Sequence, residues 1–394
     1  MARHRGGRVL AICVLVTFVV AVFFGAPACA DDAIDVQAID ALMLRLMATY
    51  GVPGASLALI KDGRVVLERG YGYRDLATHA PVTTGTLFSI GSISKSFTAL
   101  GIAQLVDQHK VDLDTPIIKY VPELRLSDPG VTQRVTLRQL LSHTSGLPPD
   151  AKWNTPAADA SHQQIVHDMA TVPITAAPGA RFQYCTQCFL LAAYVLERMT
   201  GQSWEAYTRA HIFGPLGMAT ASFGSFGLER AQDAAQPYRP YVFGQVPVLW
   251  EALRWMEPLA PGGGIDASVA DMARYALFQL GDGTASGRQL VSPPMLAELH
   301  RPEIATRDSP AEDIRYALGW FTSEHRGVHL IFHSGRNPGF RANITLVPSV
   351  KAGLVILANA EGAGLFVQAV RLTLVDELLE MTPRHDLAHW INCG

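Results

Sequence analysis

The chain has 394 residues, of which 49% are hydrophobic and 17% charged, and its formal net charge is −3. A chain of that size can bury one large core or two lobes that share a cleft, as a compact soluble globule. So balanced a charge supplies neither the basic surface that nucleic acid requires nor a polybasic patch for an anionic membrane, and no H-E-x-x-H or comparable spacing points to a metal or other cofactor.

Arg3, His4, Arg5 and Arg8 precede an uncharged apolar run from Val9 to Phe24, and Ala28-Cys29-Ala30 follows it. This order reads as a secretory signal cleaved after Ala30, which places the mature protein in the periplasm or outside the cell and free of the membrane. The competing reading is a retained anchor, because about 20 apolar residues suffice to span a bilayer. A lipid anchor on Cys29 is disfavoured, since Ala26 stands where such signals carry a larger aliphatic side chain.

From Ile34 to Tyr50, Ile34, Ala38, Ala41, Leu42 and Leu46 recur near helical spacing until Gly51-Val52-Pro53-Gly54 stops them. Ala55–Lys61 and Val65–Gly72 then read as two strands around Asp62-Gly63, a dipeptide suited to a tight hairpin turn. Helical patterns separated by Pro and Gly dominate from about 94 to 275, and Ser268-x-x-Asp271 opens a late helix as a capping pattern. Strand patterns return at Leu318–Ser323, Val328–His333, Ala342–Val347 and Gly353–Asn359, with a closing helix from Gly364 to Glu380. The expected fold is α/β of the α+β type: an antiparallel sheet built from both chain ends, flanked by helices, with a helical lobe inserted between them. The expected divisions are a signal at 1–30, one large domain at 31–382 and a tail at 383–394. Chemistry is expected where sheet and lobe meet.

Three cysteines remain after processing: Cys185, Cys188 and Cys393. Cys185-x-x-Cys188 lacks a second pair at zinc spacing, which leaves a local disulfide or two core thiols.

Ser92-Ile93-Ser94-Lys95 stands where a strand-like segment meets a helix. Residues three apart share a helix face, so the Ser92 hydroxyl and the Lys95 amine can meet, whereas Ser94 and Lys95 point apart. A serine needs a base to take its proton, and a lysine serves as one when burial lowers its pKa. The helix N-terminus adds a positive field where an acyl oxyanion would form. His143 and Ser145 are too close in a Gly-Pro loop to suggest a triad, no G-x-S-x-G elbow is present, and His143 is expected to be a loop hydrogen-bonder. Gly262-Gly263-Gly264 lacks the strand and lysine of a phosphate cradle and reads as a cleft-edge loop. Asp112 and Asp114 read as turn and cap residues.

Further along come Leu140-Leu141-Ser142-His143-Thr144-Ser145-Gly146-Leu147-Pro148, Pro178-Gly179-Ala180-Arg181-Phe182-Gln183-Tyr184, His333-Ser334-Gly335 and Asn337-Pro338-Gly339-Phe340. Together with the serine-lysine motif, this order resembles the serine β-lactamase-like and penicillin-binding-protein family, which includes class C β-lactamases, D-Ala-D-Ala carboxypeptidases, D-aminopeptidases and esterases. The resemblance runs from about Ile34 to Glu380. It implies a β-lactamase/transpeptidase-like fold with Ser92 as nucleophile, Lys95 as its close partner, and Tyr184 as a phenolate or shared proton that helps deprotonate the serine and protonate the leaving group. It implies an oxyanion hole from the backbone N–H groups of Ser92 and Arg336, and substrate contacts from His333, Ser334, Gly335 and Thr186.

Two positions depart from the β-lactamase pattern. His333 stands where those enzymes generally have a lysine for a substrate carboxylate, and Thr186 where they have an asparagine. A protonated His333 could replace the lysine only below its pKa, near 6.5 if unperturbed. The reading is therefore an exported serine hydrolase acting through an acyl-enzyme on a small-molecule or peptide substrate, as an esterase or D-amino-acid peptidase. The alternatives are a true β-lactamase or D-Ala-D-Ala carboxypeptidase, and a catalytically weak peptidoglycan- or ligand-binding relative. Nothing in the sequence signals an oligomeric state.

Overall fold

Asp62 and Gly63 both adopt positive φ, 53° and 70°, the conformation that a two-residue hairpin turn needs. They join strand β1 (Gly54–Lys61) to β2 (Arg64–Asp75), preceded by helix α1 (Val36–Tyr50), whose Ile39, Leu42, Met43, Leu46 and Met47 are buried. The computed structural model describes residues 1–2, 34–150, 155–242, 244–306 and 313–381. The chain divides into two units, Met1–Asp35 and Val36–Gly394, and the second carries the architecture. The expected signal, its cleavage site, Cys393 and the tail at 383–394 lie outside the described residues.

The two chain ends meet in one nine-stranded antiparallel sheet. Its order is Ile304–Ala305, Arg315–Tyr316, Phe321–His325, Val328–Asn337, Phe340–Val347, Ala352–Ala358, β1, β2 and Ala80–Pro81. Every residue of Ala352–Ala358 is buried, as expected of a strand with both faces covered. The Gly364–Leu378 helix packs with α1 and on this part of the sheet, and the Val269–Leu280 helix packs on β1 and Ala352–Ala358.

Helix α2 (Ser94–Asp107) is buried on every side from Ser94 to Leu105, the pattern of a helix enclosed by others. It is the axis of the inserted lobe. Its polar side chains turn back on backbone: Ser94 Oγ donates to Gly91 O at 2.7 Å, Ser96 Oγ to Ile93 O at 2.7 Å and Thr98 Oγ1 to Pro261 O at 2.7 Å. The Thr186–Thr200 and Pro293–His300 helices pack against it. The Pro293–His300 helix, which follows the expected limit near 275, also packs on α2. The lobe holds a small sheet of Phe88–Ser89, Ile265–Ala267 and Ser222–Phe223, strands too short to show alternation in sequence.

Ser268 caps the Val269–Leu280 helix by accepting from the Asp271 N–H. The Asp271 carboxylate accepts the Thr220 hydroxyl, so the capping pattern is used on one side. Cys185 and Cys188 form a disulfide at the start of the Thr186–Thr200 helix. Among the described residues, no helix is long and apolar enough to cross a membrane.

Candidate active site

A short 3-10 turn, Gly91–Ile93, carries Ser92 between the Phe88–Ser89 strand and α2. The Val328–Asn337 strand runs directly against it, and two glycines make that approach possible. A Cβ at Gly335 would stand 1.9 Å from Ile90 O, and one at Gly91, whose φ is 53°, would stand 2.6 Å from Arg336 N. Close backbone approach of this kind requires glycine. It brings the Arg336 N–H beside the serine turn, where a pair of N–H donors could face an oxyanion.

Lys95, one helical turn from Ser92, is fully buried. Its Nζ lies 2.6 Å from Gly262 O, 3.2 Å from Thr186 Oγ1 and 3.2 Å from Ser92 Oγ. The carbonyl can only accept. Thr186 donates its own hydroxyl proton to Asp150 Oδ2 at 2.7 Å, so it too accepts from the lysine. Two N–H bonds of Lys95 are therefore fixed, and the remaining position of the nitrogen faces Ser92. Burial lowers the Lys95 pKa to about 8, against a smaller raising effect of the Asp150 charge.

Tyr184 shares this cluster, with Lys95 Nζ 4.8 Å from its ring centroid. Burial pushes the phenol above its ordinary value, and the nearby Ser92 hydroxyl offsets only part of that. Of the two expected roles, phenolate or shared proton, burial disfavours the phenolate, while it favours the neutral amine of Lys95.

His333 is fully buried. Its Nδ1–H donates to Ser334 O at 2.8 Å, which leaves Nε2 to accept the Tyr316 hydroxyl at 3.1 Å. Burial, reinforced by Lys95, lowers its pKa to about 3. Desolvation thus disfavours a cationic His333 further than an unperturbed histidine pKa already does. The cations on this side are Arg336 and Arg341, paired directly across adjacent strands. Both line a cavity of about 500 Å³ together with Ser92, Tyr184, Ser334 and Gly335.

Ser334 faces this cavity through a hydrogen-bond chain that starts deep in the protein. Arg371 Nε donates to Thr345 Oγ1 at 3.0 Å, Thr345 donates to Asn343 Oδ1 at 2.7 Å, and Asn343 Nδ2 donates to Ser334 Oγ at 3.1 Å. Arginine only donates. The order is therefore fixed, and the Ser334 proton is left for the cavity.

The decoys fall where their surroundings place them. Ser94 Oγ accepts from Ile265 N at 3.0 Å while donating to Gly91 O. His143 Nδ1 accepts from Cys185 N at 3.0 Å, and the ring is enclosed by Phe182, Tyr184, Phe189 and Tyr316. Burial lowers its pKa well below the ordinary value. Asp112 Oδ1 accepts the Asp114 and Thr115 N–H groups in a turn, and Asp114 pairs with Arg138. Among the described residues, no group of three or more His, Cys, Asp or Glu is placed to hold a metal ion.

Two participants escaped the sequence reading. Gly262 belongs to a short helix, Ala260–Gly263, and supplies the carbonyl that holds Lys95; a Cβ there would come within 2.5 Å of Thr186 Cγ2. Asp150 follows directly on Gly146-Leu147-Pro148-Pro149. Its carboxylate takes both the N–H of Thr186, at 2.6 Å, and its hydroxyl. An acid closing a Gly-Pro loop was the available signal.

The Beta-lactamase family profile matches residues 39–376. Protein flp of Staphylococcus aureus is 28% identical over 334 residues, which cover 82% of this chain. The chain spans 63% of that relative's length. Penicillin-binding protein 4 of Amycolatopsis lactamdurans is 29% identical over 338 residues, covering 84% of this chain and 87% of the relative. Among solved structures, the octameric penicillin-binding protein homologue from Pyrococcus abyssi superposes with a TM-score of 0.78 at 28% identity, covering 89% of this chain and 79% of that one.

Proposed function

The chain belongs to the Beta-lactamase family, and on that premise we propose that it is a serine hydrolase that cleaves ester or amide bonds through an acyl-enzyme. The observation that carries the reading is the Lys95 amine, buried and pinned by two acceptors so that its remaining position meets Ser92 Oγ. Neutral Lys95 takes the Ser92 proton as the oxygen attacks the substrate carbonyl. The N–H groups of Ser92 and Arg336 hold the oxyanion, and Tyr184 protonates the departing alkoxide or amine. Tyr184, left as a phenolate beside the Lys95 ammonium, then takes a proton from the water that attacks the acyl-enzyme, and Lys95 returns its proton to Ser92 as the serine leaves, so both groups regain their starting states.

Within that mechanism, esterase or D-amino-acid peptidase activity is favoured over β-lactamase activity. The neutral, buried His333 offers a penicillin carboxylate no charge, and the Thr186 hydroxyl is committed to Asp150 and Lys95. One observation favours a carboxypeptidase as second reading: the paired Arg336 and Arg341 on the wall of the larger cavity could hold a carboxylate on the leaving group. Export is proposed from the order of Arg3, Arg5, Arg8, the apolar run and Ala28-Cys29-Ala30.

A panel of p-nitrophenyl esters, D-amino-acid amides and nitrocefin, run beside fluorophosphonate labelling, tests the proposal. Labelling at Ser92 with turnover of esters or amides is expected. No labelling and no turnover across the panel would leave a binding relative as the better description.

A further inference from the structure

We infer that His143 is a positioning residue for Tyr184: it fixes the main chain on both sides of the tyrosine and so aims the phenol at the leaving group. The inference rests on the serine-hydrolase reading and adds a residue to it.

Residues 182–185 belong to no helix or strand, so no ladder holds Tyr184 in place, and the buried N–H groups beside it must find partners elsewhere. Both go to one residue. The Gln183 N–H donates to His143 O at 2.8 Å, and the Cys185 N–H donates to His143 Nδ1 at 3.0 Å. The imidazole also lies on the tyrosine itself, with ring centroids 4.3 Å apart.

His143 is spent on this contact. It is fully buried, and its Nε2 has no hydrogen-bond partner among the described residues, so the bond to Cys185 is the polar bond the ring makes there. Its φ is 59°, in the left-handed region that residues with a side chain rarely adopt. Burial keeps the ring neutral, which leaves Nδ1 its lone pair. A residue needed for packing alone requires neither the nitrogen nor this backbone.

Tyr184 supplies a proton to the departing group, and substrates differ in how much they need it. An alkoxide leaves only as it is protonated, whereas p-nitrophenolate leaves without a proton. Displacing Tyr184 must therefore harm alkyl esters more than p-nitrophenyl esters, while general loosening of the fold harms both alike.

The test measures kcat/KM for ethyl butyrate and p-nitrophenyl butyrate, which give the same acyl-enzyme, so that the comparison reports acylation. His143→Phe should lower the value for the ethyl ester at least about tenfold more than that for the p-nitrophenyl ester, a part of the roughly 10²-fold that a misplaced catalytic group costs. His143→Asn, which keeps an oxygen near the place of Nδ1 and accepts the left-handed backbone, should recover most of the loss. In Tyr184→Phe, adding His143→Phe should leave the ratio of the two esters unchanged, the coupling expected of residues that act together. Equal losses on both esters, or a further change in the ratio when Tyr184 is already absent, overturn the inference. If His143→Phe fails to fold, His143→Gln, whose oxygen reaches the place of Nε2 and not that of Nδ1, decides by the same ratio. A wild type that neither turns over the esters nor takes a fluorophosphonate overturns the hydrolase reading and the inference with it. Wild-type turnover with an unchanged ratio in the variants overturns the inference alone.

Discussion

Lys95 Nζ stands 3.2 Å from Ser92 Oγ with its other two bonds fixed by Gly262 O and Thr186 Oγ1. A base so placed works only when deprotonated, and burial lowers its pKa to about 8. kcat/KM for a neutral p-nitrophenyl ester should therefore rise with pH up to about 8 and level off above it. Tyr184, held above its ordinary value by burial, remains a proton donor throughout that range. A profile that is already flat at pH 6, or that falls between 6 and 9, would remove Lys95 as the base.

Ser92 and Ser94 separate chemistry from scaffolding. Ser92→Ala should abolish fluorophosphonate labelling and acyl transfer with little change in melting temperature. Ser94→Ala should keep labelling but lower stability by about 1–3 kcal/mol, because the buried Ile265 N–H loses its acceptor. Labelling retained in Ser92→Ala, or lost in a folded Ser94→Ala, would reverse the assignment.

The sheet and its bracketing of a helical lobe were legible because both leave local marks: the Asp62-Gly63 turn, the alternating or continuous apolar strands, and the helical spacing of Leu42 and Leu46, although Ala38 and Ala41 of the expected face are exposed and Ile39 and Met43 are buried instead. The pairing of Ser92 with Lys95 was legible for the same reason, since three residues on a helix fix a direction. Asp150 and Gly262 were not, because each acts on a residue far away in sequence, and their spacing carries no period. His333 lies on the strand beside Ser92, and its residue type already argued against a cation at pH 7; what residue type does not report is the burial under Tyr316, which disfavours the cation further.

His333→Lys tests whether a cation can be held at this place. A lysine there would place a second ammonium in a buried site near Lys95, and a buried charge without a partner costs several kcal/mol. The expected result is a large drop in melting temperature with no gain for penicillins. In the unmodified protein, KM for carboxylate-bearing substrates should not change between pH 5 and 6.5 through this histidine, whose pKa lies at about 3. A KM that climbs through pH 6.5 and flattens in His333→Gln would restore the cationic role.

Arg341 is tested on the other wall of the cleft. Arg336 and Arg341 face each other across the strand pair, an arrangement that repels in the absence of an anion. Arg341→Gln should stabilise the fold slightly, within about 1 kcal/mol. The same change should raise KM for substrates whose leaving group carries a carboxylate, while neutral esters keep theirs. Equal effects on both substrate types would make Arg341 a structural residue.

Thr345 offers the most remote test, because it is fully buried and reaches the cleft only through Asn343. Arg371 can only donate, so Thr345 must accept from it and pass its own proton to Asn343 Oδ1, which in turn fixes the Asn343 amide with its NH2 toward Ser334. Thr345→Val removes the hydroxyl while keeping the shape. Arg371 then loses a partner at a cost of about 1–3 kcal/mol. Asn343 loses the bond that orients it, and its amide can turn over and present oxygen to Ser334. The Ser334 proton would then be drawn back into the protein and away from the substrate. The expected signature is a KM raised about fivefold or more, the scale of one hydrogen bond, with kcat changed much less, and Thr345→Ser should recover the wild-type KM. A loss of stability with KM untouched would confine the chain to holding the last helix on the sheet.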